Sequence, residues 1–307
     1  MLSFGSFLRL LILLVLCAAT HVAAAATVLV LLSEPSPIYQ EFANAVSSEL
    51  RRDASGIEVI QMHSDQVGAK PLPEAQFVIG AGNRAAQILV NRDIKAPTLL
   101  ALLPRSAYDR IAAGKRDDKR VSALFIDQPP ARYIDLVRVA LPDAERIGML
   151  AGPDSRDTVA RLMQVARDRK LRPMQENIAS DSDIFPALQR MFGEGGVLMA
   201  VPDTAVFNSQ TIPNLLLSAY RFRVPVVGFS QAYVKAGALI ALYSTPEQIG
   251  TQSAEIARNV LAGGSVPAPQ YPRLFNVGIN THVARSLGYQ LDSETGIRDK
   301  LERLERP

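Results

Sequence analysis

The feature that most constrains this chain is a repeated alternation, in which short runs of apolar and β-branched residues are separated by amphipathic stretches of helical length. The runs that read as strands are Thr27–Leu32, Ile57–Met62, Phe77–Ala81, Thr98–Leu103, Val121–Ile126, Arg146–Ala151, Pro173–Ile178, Gly196–Val201, Pro225–Phe229, Ala238–Tyr243 and Leu274–Ile279. Helix signals lie between them. Ile38, Phe42, Val46 and Leu50 recur at helical spacing after Ser36-Pro37, a cap followed by proline at the first helical position. Asp154-Ser155 precedes Val159, Leu162, Met163 and Ala166 on one face, and Thr245-Pro246-Glu247 opens a helix that Gly263-Gly264 stops. Strands that alternate with helices imply parallel sheets covered on both faces, an α/β fold.

Eleven strands are too many for one comfortable open sheet, since such sheets rarely pass about ten strands without splitting. The chain offers seams. Val121–Ile126 runs into Asp127-Gln128-Pro129-Pro130, a fresh strand–helix series starts after Pro142, and Lys235-Ala236-Gly237 precedes Ala238–Tyr243. The expectation is two Rossmann-like lobes: 27–126 with 238–265, and 127–237 with 266–292, followed by a tail at 293–307. The chain would cross between lobes near Asp127, near Gly237 and again within 266–272.

The segment 1–26 reads differently from the rest. Arg9 is followed by the apolar run Leu10 to Ala19 and then by Val22-Ala23-Ala24-Ala25-Ala26, the three parts of a cleaved secretory signal. Its apolar run, about ten residues, is half of the roughly twenty that cross a bilayer. Cys17 would suit a lipid anchor only with a small residue before it, and Leu16 stands there. A periplasmic location is therefore expected. Removing this segment removes the only cysteine, so disulfides, thiolate metal sites and cysteine nucleophiles are excluded from the remainder. The charge balance, 33 Lys plus Arg against 30 Asp plus Glu, carries no basic stripe with interleaved aromatics, and no nucleic-acid partner is expected.

In open parallel sheets, ligands bind beyond the carboxyl ends of the strands, where backbone amides and helix starts converge. That rule selects Ser33 to Pro37, Gly80 to Arg84, Gly152 to Ser155, Pro202 to Thr204 and Ser230-Gln231. The Gly80-Ala81-Gly82-Asn83-Arg84-Ala85 turn matches a loose dinucleotide pattern. It follows the third strand rather than the first, however, and no acidic residue ends the next strand, so an anion-friendly helix start is the better reading. Asp203, beyond a second-lobe strand, could face a ligand ammonium or could cap the next helix. Tyr39, Phe229, Tyr233 and Tyr243 stand near strand ends or helix starts, where rings line a cleft or join the core. His63 and His282 are single histidines with no serine in a Gly-x-Ser-x-Gly turn and no metal-ligand spacing. No catalytic residue, metal or cofactor is expected.

Several segments together resemble the ABC-transporter substrate-binding proteins that include tryptophan and other aromatic amino-acid binders. The similarity is densest at Val201-Pro202-Asp203-Thr204, Val224 to Gly228, Val234 to Leu239, and Gly250 to Glu255 with Leu261-Ala262-Gly263-Gly264. Leu141 to Gly148, Asn276 to Leu291, and Gly80 with Ala85-Ala86 add to it. The chain differs from that family in Gly82-Asn83-Arg84 and in Thr204-Ala205-Val206. The resemblance implies a type I periplasmic-binding fold, a Venus flytrap that grips a small polar or amino-acid-like ligand between lobes and passes it to an ABC permease or another inner-membrane partner, acting as a monomer. Ser33, Ser36, Gly80, Gly82, Asn83, Asp203, Thr204 and Ser230 are the expected ligand contacts. Two other readings fit the same residues: a periplasmic sensor that serves a membrane receptor without transport, and an exported enzyme that uses a nucleotide at the Gly80 turn.

Overall fold

A computed structural model of the chain describes residues 26–52, 56–68, 71–92, 94–115, 118–193 and 195–306. The signal-like segment lies, but for Ala26, outside the described residues. The strands are β1 (Thr27–Leu32), β2 (Glu58–His63), β3 (Phe77–Ala81), β4 (Thr98–Leu103), β5 (Val121–Phe125), β6 (Arg146–Ala151), β7 (Arg172–Asn177), β8 (Val197–Met199), β9 (Val226–Gly228), β10 (Ile240–Tyr243) and β11 (Asn276–Ile279). The helices are α1 (Pro37–Arg51), α2 (Asn83–Val90), α3 (Arg105–Ile111), α4 (Pro130–Ala140), α5 (Arg156–Asp168), α6 (Ile184–Phe192), α7 (Thr211–Arg221), α8 (Gln231–Ala236), α9 (Pro246–Leu261), α10 (Thr281–Leu287) and α11 (Glu294–Glu305).

Two sheets result, one per lobe. The first has the order β2-β1-β3-β4-β5 and is parallel throughout; the second has the order β11-β10-β9-β8-β6-β7, antiparallel only at β10–β11. The apolar runs are explained by double-sided burial. Val28, Val30 and Leu32 of β1 pack with Phe42, Val46 and Leu50 of α1 and with Ile249 and Ala254 of α9. The alternate residues Leu29 and Leu31 pack with Ala85, Ala86 and Leu89 of α2 and with Ala107 and Tyr108 of α3. The same alternation holds in lobe two, where Met149 joins the side bearing α4, α5 and α11, and Leu150 the side bearing α6 and α7.

Three lobe boundaries differ from those expected. β10 was assigned to lobe one, yet Ile240 and Ala241 pair with Val227 and Gly228 of β9 in the second sheet. Gly237 is not a seam. It closes α8 with φ 125° and donates to Tyr233 and Val234 carbonyls, so the β9-α8-β10 unit runs on without leaving the lobe. A glycine at a helix end reads the same in sequence whether or not a domain boundary follows it. The real second crossover comes at Ser244-Thr245, before α9 returns to lobe one. The third lies at the end of the expected stretch 266–272, and Gln270, assigned to lobe two, still bonds to Ala123 and Phe125 at the edge of the first sheet. Finally, the segment expected as a tail is part of lobe two, because α11 (Glu294–Glu305) buries Ile297 and Leu301 against α4 and β11.

α9 and α1 form the closest helix pair of lobe one. At Gly250 a Cβ would stand 2.6 Å from the Phe42 carbonyl oxygen and 2.8 Å from the Ala45 Cβ, so the backbones touch only because residue 250 has no side chain. On an exposed helix Gly→Ala gains about 1 kcal/mol. Here Gly250→Ala is expected to lose ~1–3 kcal/mol through overpacking, seen as a lower urea midpoint at unchanged m-value; a rise in midpoint would contradict this packing.

Candidate ligand-binding cleft

The carboxyl ends of the two sheets meet at a neck. From lobe one, β4 and β5 deliver Arg105 and Asp127; from lobe two, β8 delivers Met199 to Pro202, and α5 contributes Thr158, Arg161 and Leu162 to the same narrow gap. The lobes also touch further out, where Arg110 of α3 reaches Asp154 in the β6–α5 loop (3.3 Å). Both side chains are more than half exposed, so this ion pair is worth no more than ~1 kcal/mol and holds the lobes only lightly.

The three crossovers are sewn together by one buried polar network. Gln128 in the first crossover donates to Ser244 Oγ in the second (2.8 Å), and Ser244 Oγ donates to the Leu274 carbonyl beyond the third (2.5 Å). Arg132 of α4 donates to Gln128 Oε1 (2.6 Å) and to the Pro272 carbonyl (3.0 Å), and grips Glu305 of α11 through Nε and Nη2 (2.5 and 2.7 Å). Its guanidinium lies 4.1 Å from the Phe275 ring centroid, a cation–π contact made out of water.

Next to this network sits Asp127, whose Oδ2 accepts the Arg105 amide at the start of α3 (2.5 Å). Burial pushes its pKa from 3.8 up to about 6, against the pull of that amide and of the Arg161 and Arg105 charges. Burial likewise raises the Tyr133 hydroxyl, with the Asp127 charge adding to it, so that phenol stays protonated. Arg105 itself donates from Nη1 to Tyr271 (3.1 Å), which stacks edge-on against Phe125 (5.3 Å between centroids).

The expected contact residues fall into three groups. Ser33, Gly82 and Tyr39 come together in lobe one. Ser33 Oγ donates to the Ala81 carbonyl (2.8 Å) and accepts the Ala85 amide at the start of α2 (3.0 Å). Gly82 has φ 87°, and a Cβ there would strike the Tyr39 hydroxyl and Ser33 Oγ, so only glycine fits. Tyr39 is raised by burial while its bond to Ser33 works the other way. The Gly80 turn is therefore already filled on one side by the protein's own hydroxyls.

In the second group the polar groups serve the fold. Asp203 is buried, with Oδ2 accepting the Asp154 amide and Oδ1 the Ala205 amide, both at 3.0 Å, and its carboxylate lies where a Cβ on Gly152 would stand. It ties the β6–α5 loop to the β8 loop, much as a cap would. Gly80 lies within β3, where a Cβ would meet Leu89 at 2.6 Å, so it packs under α2. The third group stands at the rim: Asn83 and Thr204 are exposed, and Ser36 and Ser230 are half-buried caps whose side chains bond no helix amide. Asn83 shares a shallow polar depression with Gln87, Asn91 and Arg110. Phe229 and Tyr233 stack at 4.4 Å between centroids and continue into Phe207, so these rings belong mainly to the lobe-two core. Tyr243 donates to Gln231 (2.5 Å).

The residues that sequence reasoning did not select are Arg105, Thr158, Arg161 and Tyr271. Arg105 follows Pro104 directly at a strand's carboxyl end, so the rule that selected the other loops reaches it as well. Arg161 lies inside a helix, and only the tertiary arrangement brings it to the neck.

Two parallel-sheet lobes with opposed strand ends and a three-strand neck define the class of two-lobed solute-binding folds, and solved structures agree. The chain is similar to an ABC domain from Streptococcus pneumoniae solved with L-Trp (17% identity, 89% of this chain and 97% of that one, TM-score 0.62). It is similar to the ligand-free, open form of a substrate-binding protein with adhesive properties from Clostridium difficile (17%, 87% and 96%, TM-score 0.71). A periplasmic ribose ABC transporter protein from Conexibacter woesei matches at 11% identity, 87% and 96% coverage and a TM-score of 0.51. A search of curated protein sequences finds no match. The family model described as "ABC transporter substrate binding protein" matches residues 58–295, and the chain belongs to that family. It is a family of binding proteins and not of enzymes, so the nucleotide-enzyme reading of the Gly80 turn falls away.

The Asp127 shift has a definite sign. A carboxyl at 3.8 unfolded and about 6 folded keeps a proton in the native state over that interval, so its ionisation removes stability as pH rises from about 4 to 6. Asp127→Asn keeps an acceptor for the Arg105 amide and has no charge to bury. It is expected to be more stable than the parent at pH 8, by at most ~3 kcal/mol, with the gap closing near pH 4 in thermal melts. A gap independent of pH would refute this account of the neck.

Proposed function

We propose that the chain is the periplasmic receptor of an ABC-type importer: it closes on one small polar or amino-acid-like solute in the gap between its lobes and presents the closed form to a membrane permease. The observation that carries this reading is the opposition of strand carboxyl ends. β4 and β5 of one lobe and β8 of the other end at the same gap, which is where amides, helix starts and polar side chains collect. Family membership supports the small-molecule ligand and the permease partner, and the signal-like segment 1–26 supports export. The solved relatives with L-Trp and from a ribose transporter bracket the range of ligand sizes to screen.

The reading also explains the mechanics. Three crossovers allow rotation about the neck, while the exposed Arg110–Asp154 pair at the mouth is too weak to fix either position. A solute that touches both lobes adds contacts that exist only when the gap is shut, and this difference is what moves the equilibrium.

The test is a screen of the mature protein by thermal shift against amino acids, sugars and small carboxylates, followed by small-angle scattering of any hit. A solute at about 100 times its Kd adds ~2.7 kcal/mol, a rise of several degrees, with a smaller radius of gyration. Absence of both effects across the panel would overturn the receptor reading.

A further inference from the structure

One cation in the neck feels the Asp127 charge but makes no direct ion pair. Arg161 of α5 is half-buried; its Nη2 donates to Thr158 Oγ1 (3.2 Å), and its Nε is enclosed by protein with no hydrogen-bond partner. Among the described residues no carboxylate stands within ion-pair distance of it. The other arginines between the lobes have direct partners: Arg132 has Glu305, Arg110 has Asp154 further out, and Arg105 has Tyr271 with Asp109 at 3.8 Å. A guanidinium taken part-way out of water with open donors is costly unless something meets it. Its planar fork matches a carboxylate or another oxyanion with two parallel hydrogen bonds.

From the observations above, we infer that the transported solute carries an anionic group, a carboxylate by preference, and that Arg161 receives it from lobe two while Arg105 faces it from lobe one. This deepens the receptor reading and rests on it. Arg105 and Arg161 line the same gap from opposite lobes, and the charges of both reach Asp127. Two like charges brought together by closure oppose it, and Asp127 is shared between them without a direct ion pair to Arg161. An anion between them removes the opposition, so charge neutralisation and lobe closure become one event. Thr158 and Tyr271 add hydroxyls beside the two cations. Asp203, with both carboxylate oxygens bonded to backbone amides, is not the anchor of this subsite. The anchor is a cation, and the solute's fixed charge is negative.

The experiment uses matched pairs on the full mature chain. Succinate and succinamide, glutamate and glutamine, and an amino acid and its amide are compared with ribose and galactose by calorimetry and scattering. Carboxylate members are expected to bind and compact the protein, and their neutral partners to bind at least tenfold more weakly. Arg161→Gln is expected to weaken the carboxylate ligand at least tenfold with no loss of ligand-free melting temperature, since it breaks no direct ion pair and removes a partly buried charge. Arg161→Lys is expected to recover part of the affinity, and Arg105→Gln to lower it with less compaction. A neutral sugar that binds and compacts the parent as well as any carboxylate would overturn the anion inference and leave the receptor reading standing. So would unchanged carboxylate affinity in Arg161→Gln. If no compound in the panel binds or compacts the protein, both readings fall.

Discussion

The structure depends on the buried network in which Gln128, Ser244 and Arg132 hold three chain crossings side by side. Each lobe has its own doubly covered sheet and would stand on its own core, so nothing in the two cores dictates how the lobes face each other. The neck dictates it. Ser244 spans two crossings, accepting from Gln128 and donating to the Leu274 carbonyl. Arg132 links the first crossing to the third and to the C-terminal helix through Glu305. Each neutral bond contributes on the order of 1 kcal/mol net. Breaking one costs more, because Gln128 and Arg132 are buried and their partners would be left dry. The network therefore keeps the crossings in register without stiffening the backbone that must rotate beside it.

Placing a sewn neck directly under an open gap has an electrostatic consequence. The low-dielectric environment that strengthens the Gln128–Arg132 bonds also raises Asp127 and leaves Arg161 exposed to the cost of partial burial. Away from this gap several charges are paired at the surface, as Arg169 is with Asp135 and Arg190 with Glu176. The neck thus holds both a carboxyl raised by burial and an enclosed Arg161 Nε with no hydrogen-bond partner. In a binding protein such polar imbalance is useful: a group satisfied only by ligand converts its own discomfort into selectivity and into closure.

The fold was legible in the sequence because burial on both sheet faces leaves a strong mark. Thr27–Leu32 and Thr98–Leu103 are apolar at nearly every position, and such runs between amphipathic segments allow few other readings. Lobe membership was harder, and β10 shows why. A strand that stays in its sheet and one that crosses to the other both follow a helix ending in glycine, and only pairing with β9 separates the cases. The closing helix α11 was missed for a related reason. Its mean character is polar, with a narrow stripe of Ile297 and Leu301 that becomes a core only when α4 and β11 are there to cover it.

The site was legible in position and less so in chemistry, and Asp203 and Arg161 mark the difference. The rule about strand carboxyl ends finds loops, and Ser33, Gly82 and Asp203 do stand in loops that follow β1, β3 and β8. It does not say whether a polar side chain there points at solute or back at the fold. Asp203 was turned inward by two backbone amides that need an acceptor, because Asp154 and Ala205 lie in loops with no sheet partner to satisfy them. Ser33 was taken up in the same way by the first turn of α2. Short polar residues are the natural candidates from sequence, and they are also the ones that loops most readily consume for their own hydrogen bonds. A long cation such as Arg161 cannot be used up locally. Its charge reaches the gap from a helix interior, where no loop rule looks, and remains available to whatever enters.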